Sequence, residues 1–238
     1  MLVRYAADRY AGGDPSAGIE SLYAFSFGRF YDPDNLRFGA VLACNEERLA
    51  PGAGFDEHPH SHTEIVTWVV EGELTHRDST GHATVVRAGD VQRLSSAGGV
   101  RHMERNEGAR PLVFVQMWLV PLEPGGEPAY EIVRGIADAT PYALPRAGAT
   151  LRVRRLRAGG RAAVPDARSV YVHVVRGDVL LDADADTYAD DHGGDSEGDR
   201  HGHRLGPGDS ARITDADGLG LSAGPGAPAE VLLWEMPG

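Results

Sequence analysis

Val69-Val70-Glu71-Gly72-Glu73-Leu74, in the first half of the chain, returns in the second half as Val174-Val175-Arg176-Gly177-Asp178-Val179. Each copy is an apolar, β-branched run that stops at a glycine and restarts, the pattern of two strands joined at a turn. A second pair of turns follows each copy: Arg87-Ala88-Gly89-Asp90 in the first and Gly206-Pro207-Gly208-Asp209 in the second. From the first glycine to the second the spacing is 17 residues (72 to 89) in one copy and 31 (177 to 208) in the other. The surplus of 14 falls in an acidic, Gly-rich stretch, where a long insertion at a hairpin tip is tolerable. The chain therefore reads as two similar β-barrels in tandem.

Working outward, Glu64 to Val70 is apolar on both faces, as for a strand covered on each side. Asp78-Ser79-Thr80-Gly81 signals a hairpin whose return is Ala83 to Arg87; Val91 to Leu94 and Pro111 to Val120 are further strands. Upstream, Arg37 to Cys44 reads as a strand, Glu46 to Gly54 as a loop, and residues 1 to 20 show no clear period. Pro121 to Pro128 carries three prolines and two glycines, which reads as the exit from the first barrel. The expected domains are 1–125, a linker 126–145, and 146–238, the last carrying an acidic loop at 182–203 that reads as disordered. Short strands at regular spacing with hardly any helical period make the fold class all-β.

The formal net charge of −12 disfavours nucleic acid and anionic membranes as partners, since both select basic surface. Eight acids against Arg200 between Asp182 and His203 account for −7 of that charge, so the body is only mildly acidic. No apolar run approaches the roughly 20 residues that cross a bilayer, and the opening residues lack a secretory pattern. A single cysteine, Cys44, excludes an internal disulfide and fits a reducing cytoplasm; in Phe38 to Cys44 it reads as a small buried hydrophobe. No Ser-His-Asp order, phosphate loop or dinucleotide fingerprint stands out.

Six of the ten histidines fall between His58 and Asn106. In His58-Pro59-His60 the alternation of an extended chain points both imidazoles one way and the proline the other. His102-Met103-Glu104 repeats the device. Two such pairs face to face offer three neutral nitrogens and a carboxylate, a set suited to Fe, Mn, Co, Ni, Cu or Zn rather than Ca or Mg. The second copy is a control: counted from its glycines, the equivalent positions are Ala163, Pro165, Leu221 and Ala223. Barrel geometry alone does not require the four ligands, so they belong to function.

Gly52-x5-His58-x-His60-x3-Glu64 and Gly99-x2-His102-x3-Asn106 resemble the two cupin motifs, with the Glu64 to Gly72 spacing one residue longer than usual. Together with Glu71-Gly72, His76-Arg77-Asp78-Ser79, Gly89-Asp90-Val91-Gln92, Phe25-Ser26-Phe27-Gly28 and Tyr31-Asp32-Pro33, they resemble the pirin family of bicupins. That resemblance is strong to about residue 121 and loose thereafter. It implies two jelly-roll cupin domains and one metal ion, commonly iron, held in the first barrel by His58, His60, His102 and Glu104, with a degenerate second barrel. Pirins use the glutamate two residues after the last histidine, here Glu104, whereas most cupins would use Glu64. Glu64 is then expected to accept a hydrogen bond from a ligand imidazole. Ser61-His62-Thr63 replaces the usual Arg-Gly-aromatic run of the family.

His62 shares the parity of His58 and His60 but is expected outside the ligand set. His76 and His82 flank a hairpin turn and are expected in solvent, and His173 reads as a satisfied strand histidine. His192, His201 and His203 lie in the acidic stretch. Trp68, Met117 and Trp118 read as core, with Val66 and Trp68 as candidates for an apolar wall against an aromatic substrate. The resemblance implies a dioxygenase that opens the central ring of a flavonol such as quercetin, with a small aromatic substrate and O2 as partners and Glu104 as proton acceptor. The alternative is a metal-binding, redox-responsive regulatory protein acting through a protein partner. The chain is expected to be a monomer.

Overall fold

The computed structural model describes residues 1–183 and 202–237. Among them are twenty-one strands and three 3-10 turns, and no helix long and apolar enough to cross a membrane. The chain divides into two compact units: Arg9–Ile136 with Pro145–Gly148, and Met1–Asp8 with Ala137–Leu144 and Ala149–Gly238.

In the first unit, seven strands form one sheet in the order Ala129–Val133, Val91–Ser95, Glu64–Glu71, Leu112–Leu119, Val41–Leu49, Ile19–Tyr23, Tyr10–Asp14. The other sheet runs Gly54–His60, Val100–Arg105, Glu73–Asp78, Ala83–Arg87. The second unit repeats the plan with a six-stranded and a four-stranded sheet, and every pairing in both units is antiparallel.

The repeated glycine has the same cause in both. Gly72 sits at φ +80°, and a Cβ there would lie 2.6 Å from the Pro111 carbonyl oxygen. Gly177 sits at φ +70°, and a Cβ there would collide with the Pro228 carbonyl oxygen. Left-handed backbone and close strand approach both select glycine.

Across the first unit's large sheet, residues facing the interior form layers. Val69, Leu74, Leu112 and Phe114 belong to one apolar cluster and Ile65, Leu94, Val100 and Trp118 to another. Thr67, Gln92 and Gln116 pair side by side on the same faces between them, buried or half-buried. A polar belt therefore crosses the middle of this barrel.

That belt explains a departure from expectation. Val41–Leu49 is one strand, where the sequence suggests a loop after Cys44. Asn45 and Glu47 are 2% and 5% exposed, opposite Gln116 and Phe114. Polar side chains that face a polar interior read as loop when only hydrophobicity is counted. Cys44 is buried, as expected.

The expected linker 126–145 is also corrected. It contains Ala129–Val133, paired with Val91–Ser95, and Pro141–Leu144, paired with Ala149–Leu156. The first unit thus extends to Ile136, while Leu2–Arg4 pairs with Ser210–Ala216 in the second. The acidic stretch lies mostly outside the described residues, as do His192 and His201. The strands at its borders, Val179–Ala183 and His203–Leu205, pair antiparallel.

Candidate metal centre

Gly54–His60 and Val100–Arg105 are neighbouring strands with His58 opposite His102, Pro59 opposite Arg101 and His60 opposite Val100. Strand alternation sends the three imidazoles to one face and exposed Pro59 and Arg101 to the other. The register slips between His102 and Glu104, which lies opposite Phe55, so the histidine strand holds one extra residue there. Such a bulge re-aims side chains beside a site. On its other edge Val100–Arg105 pairs with Glu73–Asp78, placing Glu104 opposite His76 and His102 opposite Asp78.

The rings of His58, His60 and His102 converge, with centroids 4.8, 4.5 and 4.9 Å apart in pairs. One nitrogen from each lies within 4.8 Å of the others, a group that could hold a metal ion. His58 Nδ1 is 2.7 Å from the Asp56 carbonyl oxygen. A carbonyl only accepts, so Nδ1 carries the proton and Nε2 keeps its lone pair, the usual preparation of a metal-binding imidazole. His102 is 1% exposed, and both its ring nitrogens are buried without a hydrogen bond. Orphaned buried nitrogens are costly, and a cation is the partner that this donor set fits.

Glu104 does not join that group. It stands with His76 and His102 in a second cluster, again within 4.8 Å of one another. Its Oε1 accepts from Gln92 Nε2 at 2.9 Å and its Oε2 from Gln116 Nε2 at 2.7 Å. Burial alone would raise this carboxyl; the His102 and His76 rings and the two amides hold it below the ordinary glutamate value. Burial, with repulsion among the imidazoles, lowers His60 and His102 to about 4. Both histidines are then neutral at physiological pH, with a lone pair ready and no proton to displace.

His76 is the residue that sequence reasoning missed. Expected in solvent, it is fully buried, its Nε2 3.2 Å from Asp78 Oδ2 and its ring stacked 4.5 Å from Tyr130. Its parity with Leu74 was the available signal, since both face inward. Asp78, despite burial, is lowered to about 2 by hydrogen bonds from Thr80, His76 and His82. Tyr130 donates to Gln92 Oε1 at 2.9 Å, extending the belt behind Glu104. His82 is half-exposed and bonds Asp78 and Thr80.

Other expectations need correcting. Glu64 faces away from the imidazoles; its Oε1 takes hydrogen bonds from Ser95 at 2.6 Å and Arg146 at 3.1 Å. Val66 and Trp68 share that parity and cannot line the site, because Ile65, Thr67 and Val69 are the inward residues of their strand. Trp118, read as core, is half-buried, its ring centroid 4.9 Å from that of His60 in a T-shaped contact, and the Phe27 ring centroid lies 5.0 Å from that of Trp118. His62 is exposed at φ 56°, its Nδ1 accepting from the Gly125 amide, and does not reach the ligands. His173 is buried in Ala167–Arg176 of the second unit.

A family profile described as Pirin matches residues 5–119. Over 251 aligned residues the chain is 37% identical to a Mycobacterium tuberculosis protein named "Putative quercetin 2,3-dioxygenase", covering 98% of this chain and 94% of that one. It is 40% identical over 114 residues to the quercetin 2,3-dioxygenase of Escherichia coli K12, about half of each chain. Among solved structures it is similar to the bacterial pirin YhhW of Escherichia coli in complex with nickel(II). There the identity is 28% and the TM-score 0.81, over 99% of this chain and 98% of that one. A 7S globulin of Momordica charantia, 13% identical at TM-score 0.68, shares the fold.

Proposed function

The chain belongs to the pirin family, and on that premise we propose that it is a metal-dependent dioxygenase acting on flavonols such as quercetin. The observation that carries this reading is the convergence of His58, His60 and His102, two of them half-buried and so reachable, beside the aromatic edge of Trp118.

In this reading His58, His60 and His102 hold the ion, iron(II) by family habit, with Glu104 as the carboxylate of the set. A transition metal bound there would acidify the flavonol 3-hydroxyl and supply the redox chemistry that dioxygen requires. Phe27 and Trp118 offer ring faces and edges against which a flat aromatic substrate packs. Glu104, ionised at neutral pH, accepts the hydroxyl proton. Its depressed pKa makes it a weak base, matched to a hydroxyl that is already acidified. Gln92 and Gln116 keep its carboxylate oriented, and Trp118 Nε1 fixes Gln116 by donating to Oε1 at 3.0 Å.

The test is elemental analysis of protein purified without a histidine tag, alongside His58→Ala, followed by anaerobic quercetin and then oxygen. Stoichiometric transition metal, lost in the variant, with flavonol absorbance falling only after oxygen enters, is the expected result. Metal-loaded protein that leaves the flavonol intact in oxygen would overturn the reading for this substrate.

A further inference from the structure

A line of aromatic rings runs from the histidine cluster to the outermost strand of the first unit's large sheet. We propose, on the reading of that cluster as an oxygen-using metal centre, that Trp118, Phe27, Tyr23, Phe30 and Tyr10 form an electron-transfer route. Along it Tyr10, with Asp32 as its proton acceptor, quenches an oxidising equivalent stranded at the centre.

The ring centroids of His60 and Trp118 are 4.9 Å apart, those of Trp118 and Phe27 5.0 Å, and those of Phe27 and Tyr23 4.9 Å. Tyr23 and Phe30 follow at 6.2 Å, and Phe30 stacks on Tyr10 at 5.2 Å. Each step is a ring-pair contact. Tyr10 and Tyr23 also lie directly opposite on the strands Tyr10–Asp14 and Ile19–Tyr23, so their side chains share a face. The loop that carries Phe27 and Phe30 is closed by the Ser26 amide donating to the Asn35 carbonyl and by the Asp32 amide donating to Ser26 Oγ at 2.8 Å. That closure sets Asp32 Oδ2 3.2 Å from the Tyr10 hydroxyl, which donates to it.

Packing alone asks only for apolar rings. Here the two ends of the line are an indole and a phenol, the side chains that give up one electron most readily, and the phenol has a carboxylate within hydrogen-bond reach to take its proton. Trp118 is half-buried where it meets His60. In the second unit the place of Trp118, opposite Ile65, is taken opposite Val170 by Glu235, which pairs with Arg152.

The electrons and protons balance as follows. A one-electron oxidant at the centre takes an electron from the Trp118 indole. Tyr10 returns one electron to the indole along the intervening rings, and its phenolic proton passes to Asp32 Oδ2, leaving a neutral tyrosyl radical. A soluble thiolate then supplies one electron, Asp32 gives the proton back, and the phenol is restored with a thiyl radical as the other product. The imidazoles are spared oxidation.

Pulse radiolysis of the full-length protein as purified, with azide radical as the oxidant, tests the route without turnover, so its result is separable from that of the flavonol assay. Trp68 and Trp234 are 1% and 0% exposed, which leaves Trp118 as the indole within reach of a soluble radical. In the wild type, indole-radical absorbance should decay while tyrosyl absorbance grows, at a rate independent of protein concentration. Tyr10→Phe keeps the stacked ring and removes the O–H, and should abolish that growth. Asp32→Asn keeps the phenol but removes the proton acceptor, and should slow it severalfold. Tyrosyl growth at the wild-type rate in both variants, or growth in the wild type that scales with protein concentration, would overturn the route.

Discussion

The two barrels of this chain share turns, glycines and strand order but differ in what fills them. In the first, Thr67, Gln92, Gln116 and Glu104 occupy interior positions whose counterparts by strand pairing are Val172, Ala211, Leu233 and Leu221. The sequence count from Gly208 gives Leu221 and Ala223 as the partners of His102 and Glu104. Strand register shifts both by two: Leu221 lies opposite Leu181, four residues after Gly177, as Glu104 lies opposite His76, four residues after Gly72. The true counterparts are therefore Leu219 and Leu221, and the residue that hydrogen-bonds to Leu219 where His58 pairs with His102 is Val164. All of these second-barrel residues pack in one apolar cluster. One scaffold thus supports either a continuous hydrophobic core or a core interrupted by a polar belt, and only the interrupted one can hold an ion.

The sharpest way to break that comparison is to put charge where the second barrel has none. Leu221→Glu would bury a carboxylate at a fully buried site with no amide to receive it. The expected cost is roughly 5 kcal/mol, of the order of a whole domain's stability, read as a separate low-denaturant transition in urea. Wild-type-like unfolding would mean that the second interior tolerates charge as well as the first, and the contrast would fall.

Removing an ionisable group from the first barrel should act the other way. Burial raises Glu47 to about 8, with Ser21 its hydrogen-bond donor. An acid whose folded pKa is raised contributes its full stability below the unfolded value near 4.5, and that contribution is lost as pH climbs through 8. Glu47→Gln should therefore be close to neutral at pH 4 and stabilising by about 3 kcal/mol at pH 7, with a flatter stability profile between. Equal effects at both pH values would show that Glu47 is ionised in the folded state.

How much of this was legible follows from the same contrast. The repeat around Gly72 and Gly177, the alternating strands and the His58-Pro59-His60 pattern are local signals, and they carry the fold and the three-histidine cluster. What stayed hidden is polar and inward-facing. Asn45 and Glu47 read as loop, His76 as a solvated hairpin residue, and Tyr130 as part of a linker, because a sequence records polarity but not which side of a strand is wet. Glu64 misled for the converse reason: its place in a motif suggested the site, while its parity with Val66 and Trp68 turned it toward Ser95 and Arg146. Leu2–Arg4 was invisible because a three-residue edge strand has no period to detect.

The smallest predicted effect probes the boundary between belt and apolar layer. Trp118 belongs to both, its ring packed with Ile65, Leu94 and Val100 while its Nε1 donates to Gln116 Oε1. Trp118→Phe keeps an aromatic ring but removes the donor, freeing the Gln116 amide that holds Glu104 Oε2. Loss of one such hydrogen bond with partial repacking costs about 1 kcal/mol, a shift measurable in thermal unfolding. Because the amide can then rotate, metal affinity should fall by about tenfold while the pH dependence due to Glu47 stays unchanged. A stability loss with unaltered metal affinity would mean that Trp118 is only packing, and that Gln116 holds Glu104 without help from the aromatic layer.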